Sequence, residues 1–127
     1  MIKETIKSLD FNDEVIEETV YFNLTKVEAT RLALRYDQNG GDLEGVIKNL
    51  TAEGNTAKMI ALLEDVILSG YGKREGNAFI KSPELRAAFE TGTTYAELFE
   101  GLLNDDEKMR KFASEIIKDS KVPQKQA

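Results

Sequence analysis

Neither cysteine nor histidine occurs among the 127 residues of this chain. The first absence excludes disulfides, thiolate metal sites and cysteine nucleophiles. The second is more informative, because histidine titrates near neutrality and is the commonest transition-metal ligand. Any catalysis would have to come from carboxylates, Lys, Tyr, Ser or backbone groups. Concentrated positive charge is scarce too: 17 Lys and Arg face 23 Asp and Glu, the net charge is −6, and Lys73-Arg74 is as long as a purely basic run becomes. A phosphate-binding surface needs clustered cations to displace counterions, so nucleic acid is not an expected partner. No apolar run approaches membrane-spanning length. Lys3, Glu4 and Lys7 interrupt the first residues, so no signal-peptide core is expected either. These absences describe a soluble, intracellular chain with no membrane partner.

What is present suffices for one compact domain. Apolar residues make up 41% of the chain, and a domain of this length buries roughly two-thirds of its unfolded surface. The opening predicts two strands, Ile2 to Phe11 and Thr19 to Leu24, around the polar turn Asn12-Asp13-Glu14. In the second, Val20, Phe22 and Leu24 share one side and Thr19, Tyr21 and Asn23 the other.

From Thr25 the period becomes helical. Thr25-Lys26-Val27-Glu28 is a capping-box pattern, after which Ala29, Leu32, Ala33 and Tyr36 share a face, and Asn39-Gly40-Gly41 offers a stop. Asp42 caps a second helix with Leu43, Val46, Ile47 and Leu50 on its stripe. A third, from Asn55 or Thr56, carries Met59, Leu62, Leu63, Val66 and Ile67, widened by Ile60 and Leu68. It is the longest apolar segment and the expected centre of the core, ended by Gly70-Tyr71-Gly72. Lys73 to Asn77 is polar, and Ala78-Phe79-Ile80 has the length of a strand-like turn.

Ser82-Pro83-Glu84-Leu85 then starts a helix with Leu85, Ala88 and Phe89 inward. Gly92 breaks it, and Thr94-Tyr95-Ala96-Glu97 predicts another capping box ahead of Leu98, Phe99, Leu102 and Leu103. Asn104-Asp105 precedes a last helix burying Met109, Phe112, Ala113, Ile116 and Ile117. The fold class is therefore α+β: an N-terminal antiparallel hairpin followed by a compact bundle of about six short helices. Residues 1–119 are expected as one domain, with 120–127 a polar, disordered C-terminal tail.

Apparent chemical motifs fail on inspection. A calcium loop starting at Asp37 would need Gly where Asp42 stands and Glu where Lys48 stands. Gly70 to Gly76 has a phosphate-loop spacing, but Asn77-Ala78 replaces the required Lys-Ser/Thr. Asn23-Leu24-Thr25 and Asn49-Leu50-Thr51 match the glycosylation triplet with nothing directing the chain to a secretory route. Glu14, Glu17 and Glu18 lie near a turn, and Asp105, Asp106 and Glu107 open a helix, where negative charge suits the macrodipole. A catalytic acid pair would need burial to separate its pKa values. No cofactor, metal or catalytic residue is expected. Tyr21, Tyr36, Tyr71 and Tyr95 suit core edges or interface anchors, the Val20, Phe22 and Leu24 face reads first as core, and an uncovered hairpin edge is a template for strand addition.

The segment from Asp10-Phe11-Asn12-Asp13-Glu14 through Thr19-Val20-Tyr21-Phe22-Asn23-Leu24-Thr25 resembles the start of tail assembly chaperones of siphophages, particularly those of Gram-positive hosts. Tyr71-Gly72, Phe79-Ile80-Lys81-Ser82-Pro83-Glu84-Leu85, Phe89 and Tyr95-Ala96-Glu97-Leu98-Phe99 resemble the family's second half, in the same order. Residues 26 to 56 are weakly diagnostic, the helix from Lys108 to Lys118 matches mainly in apolar spacing, and the segment from Lys118 to Ala127 does not align.

The resemblance implies a non-enzymatic helper in the host cell cytoplasm, absent from the mature virion, that coats the phage tape measure protein in many copies. A form extended by ribosomal frameshifting would recruit the major tail tube protein. Self-association and cargo contacts are expected from the hairpin edges and last helix, with Tyr21, Phe22, Leu24, Tyr71, Tyr95, Phe112 and Ile116 as candidate interface residues. Rival readings are a small structural component of the particle, an inhibitor of a host protein, or a carboxylate-dependent enzyme.

Overall fold

The structure is a computed structural model that describes residues 1–37 and 41–121. Strands β1 (Ile2–Leu9) and β2 (Val15–Phe22) form the expected hairpin, in register from Ile2 opposite Phe22 to Leu9 opposite Val15. Helices α1 (Lys26–Tyr36), α2 (Leu43–Glu53) and α3 (Thr56–Gly70) follow. Next come β3 (Tyr71–Glu75) and β4 (Ala78–Ile80), then α4 (Pro83–Glu90), α5 (Thr93–Leu103) and α6 (Asp106–Lys121). The α+β class and the six helices agree with the sequence reading.

The second hairpin is the main addition. Within Lys73 to Asn77, expected as a polar stretch, Lys73, Arg74 and Glu75 pair with Ala78–Ile80 around a turn in which Gly76 has φ 57°. Its β3 also pairs with the end of β2, through Tyr21 opposite Gly72 and Phe22 opposite Tyr71. The result is one antiparallel sheet in the order β1-β2-β3-β4. Because β3 joins β2 only at its C-terminal end, the first hairpin projects past the second.

Local chemistry explains the helix starts. The Thr25–Glu28 capping box forms in full, Asp42 caps α2 through the Gly45 N–H, and Asn55 caps α3 through the Lys58 N–H. Ser82 Oγ accepts from Leu85 N–H ahead of Pro83, and Asp105 accepts from the Glu107 and Lys108 N–H groups. One expected capping box is absent. Helix α5 starts at Thr93 with Gly92 as its cap, so Thr94 lies inside the first turn, where it is buried and donates to Glu18 Oε1 at 2.7 Å.

Helix α3 packs against α1, α2, α4 and β2 and is the centre of the core as expected. Val20, Phe22 and Leu24 are buried on the face that the alternation assigned. Two outward corrections arise on the helices: Ile60 is exposed on α3, and Ala88 is exposed on α4, where only Phe89 is fully buried. Each sits at the margin of its stripe, where no neighbouring element covers it. Helix α6 runs through the buried Ser120 to Lys121, whose ammonium pairs with Glu44 at 2.9 Å. From Val122 the expected tail lies outside the described residues, as do Asn39 and Gly40 of the expected α1 stop.

Candidate functional site

The seven candidate contact residues separate by depth. Phe22, Leu24, Tyr95, Phe112 and Ile116 are buried, while Tyr21 and Tyr71 are partly exposed. Four of them meet in one aromatic spine. Phe22 meets Phe112 edge-on at 5.5 Å between ring centroids and lies 6.0 Å from Phe89. Phe89 stacks on Tyr71 at 4.0 Å and meets Tyr95 edge-on, and Tyr95 in turn stacks on Phe99. The spine ties β2, β3, α4, α5 and α6 together, with Phe89 at its middle. Ile116 packs beside it against Gly70. Tyr21 stands apart on the opposite sheet face, under the Arg74 guanidinium at 5.4 Å.

The buried ends of two tyrosines are polar and satisfied. Tyr36 donates to Asp65 Oδ2 at 2.6 Å and Tyr95 to Glu64 Oε2 at 2.8 Å. Burial first, then these carboxylates, hold both hydroxyls well above the usual tyrosine pKa of 10.0. Both hydroxyls therefore keep their protons near neutrality. Every buried side-chain polar atom among the described residues has a partner. Among those residues no group of three acidic, His or Cys side chains could hold a metal ion, and no helix is long and apolar enough to cross a membrane.

What the surface does offer is apolar area. Leu9, Phe11 and Val15 cluster at the tip of the first hairpin with 54%, 81% and 72% of their surface exposed; such grouping marks contact sites. The tip is held in shape: the Asp10 carboxylate accepts from the Asn12 and Glu14 N–H groups, Asp10 and Glu14 close the turn through their backbones, and Asp13 adopts φ 61°. Val27 and Leu34 are also exposed, two turns apart on one face of α1 with Arg31 between them.

A third feature is charged. Between α1, the end of α3 and the start of α4 lies an open cleft of about 520 Å³. Arg31, Arg35 and Arg86 line it, with Tyr71 and Pro83 supplying apolar surface over the buried Leu32 and Leu68. Lys81 enters from the β4–α4 connection and is held by the Asn23 carbonyl and Glu28 Oε1, each at 2.7 Å. That Glu28 oxygen also accepts from Thr25 N–H. Among the described residues, none of the three arginines forms an ion pair. Sequence reading found none of these three surfaces; the Arg31 and Arg35 spacing of four residues was a signal for the cleft, while Arg86 and Lys81 lie too far along the chain.

No curated protein matches this chain, and no solved structure does. A family model does: residues 1–124 match the one described as phage tail assembly chaperone. That span takes in both hairpins, all six helices and each surface described above, and the chain belongs to the phage tail assembly chaperone family.

Proposed function

We propose that this chain coats the tape measure protein of a siphophage in the host cytoplasm, keeps it soluble until tail tube subunits replace the coat, and is left out of the virion. A frameshift-extended form would bring the major tail tube protein to the complex. The chain carries no reaction in this reading; it offers contacts that can be displaced. The observation that carries it is the exposed apolar area at two places, the hairpin tip and one face of α1, on a fold whose core is otherwise closed. A coat needs two kinds of contact, one to cargo and one to its neighbour. Weak contacts of both kinds gain strength by effective concentration when copies line up.

Tyr21 and Tyr71 join this reading as partly exposed edges of the contact surface. The α1 pair is assigned to cargo. Co-expression with the tape measure protein is the test: the soluble fraction of the cargo should rise with the wild type and fall back with Val27→Asp/Leu34→Asp. Purified virions should lack the chain by mass spectrometry. Cargo that precipitates equally with and without the chaperone would refute the reading. Stoichiometric retention in virions would favour a structural component instead. The extended form predicts a slippery heptamer near the codons for Lys118 to Gln126.

A further inference from the structure

The hairpin tip and the arginine cleft are complementary, and they lie at opposite ends of β2. Residues 10 to 18 at the tip contain five carboxylates, Asp10, Asp13, Glu14, Glu17 and Glu18, and no cation. Phe11 and the cross-strand pair Leu9 and Val15 stand exposed beside these carboxylates. The cleft offers the converse: three arginines without ion pairs among the described residues stand beside Tyr71 and Pro83, and its one carboxylate, Glu28, is already paired with Lys81. Its Tyr71 pairs with Phe22, and its Lys81 binds the Asn23 carbonyl, so the cleft sits at the base of the hairpin. From Val15 to Phe22 is roughly 23 Å at the rise of an extended strand. A tip so placed cannot reach the cleft of its own molecule.

We propose that the β1–β2 tip of one copy docks into the Arg31, Arg35 and Arg86 cleft of a second copy, joining chains head to tail. Phe11 packs against Tyr71 and Pro83, and the Asp13 and Glu14 carboxylates pair with the guanidinium groups, whose planar forks suit bidentate contact. The turn is already held by the Asp10 carboxylate and by the positive φ of Asp13, so little ordering cost remains on docking. Because the two surfaces differ, the contact is heterologous and each copy keeps a free tip and a free cleft. Such a contact does not close on itself at two copies; it propagates as an array. The inference rests on the proposed coating only in needing neighbouring copies.

The test uses the purified chain without cargo in sedimentation velocity. The wild type should form a concentration-dependent ladder that shifts toward monomer as salt rises, because exposed charge pairs are screened. Phe11→Asp and Arg31→Glu/Arg35→Glu, all at exposed positions, should each weaken association by about 30-fold or more, the size expected for losing an interface anchor. Mixed together they should pair one to one and stop there, since one supplies an intact cleft and the other an intact tip. Circular dichroism checks that each variant is folded; Val15→Asp or Arg86→Glu replaces any that is not. A wild type that stays monomeric at its highest soluble concentration overturns the proposal. So do variants that associate like the wild type, and a mixture of two monomeric variants that does not pair. With no cargo in the assay, its failure leaves the coating of the tape measure protein to be judged by co-expression alone.

Discussion

Gly72 sits where two strands and an aromatic ring converge. A Cβ built there would lie 2.7 Å from Phe79 Cε2 and 2.8 Å from the Ile80 carbonyl oxygen. The ring could turn aside but the backbone oxygen cannot, so Gly72→Ala should destabilise the fold by about 1 to 3 kcal/mol in urea titration. Tyr36 and Tyr95 carry the clearest pH signature. Each hydroxyl has its pKa raised in the folded chain, by burial first and then by Asp65 or Glu64. Below the unfolded value of 10.0 both states keep the proton, and the stabilisation is fully present. Above it the unfolded chain loses the proton while the folded chain retains it, so stability falls as pH rises toward the folded value. Melting temperature should therefore decline from about pH 10 upward, and Tyr36→Phe/Tyr95→Phe should flatten that decline. At neutral pH the single Tyr36→Phe change should cost about 1 kcal/mol for the lost hydrogen bond.

Among the elements, α1 joins local and long-range order. Its capping box satisfies backbone N–H groups at the start, and the same Glu28 carboxylate receives Lys81 from the far side of the cleft. Thr25→Ala should cost about 1 kcal/mol, the usual loss for a removed cap, measured by chemical denaturation. Helix α4 contributes differently. It is eight residues long and buries one large side chain, Phe89, yet that ring contacts Phe22, Tyr71 and Tyr95. Phe89→Ala should cost about 3 to 5 kcal/mol, because a cavity would open where several elements meet. The helix boundaries could be read from the chain since caps and stripes are local. Pairing of Tyr71–Glu75 with Ala78–Ile80 could not, because the alternation there is short, polar and strand-like only once β2 supplies an edge.

At the scale of the whole molecule, stability and contact belong to different residues. Phe11, Val15, Val27 and Leu34 are exposed, so Phe11→Asp should leave the unfolding free energy within about 0.5 kcal/mol of wild type while changing the sedimentation profile. Phe22, Leu24, Tyr95, Phe112 and Ile116, taken from the sequence as contact candidates, are interior in this fold. An apolar side chain suits a core and an interface equally well, and only the neighbours of each position distinguish the two. The sequence by itself determined the hairpin, the capped helices, the central place of α3 and the resemblance to the chaperone family, since each is carried by near neighbours in the chain. Tertiary structure alone decided that Leu9, Phe11 and Val15 stay uncovered and that Arg31, Arg35 and Arg86 gather in one cleft. Exposure and charge clustering depend on which distant segments pack together, and residues as far apart as α1 and α4 meet only in the folded chain.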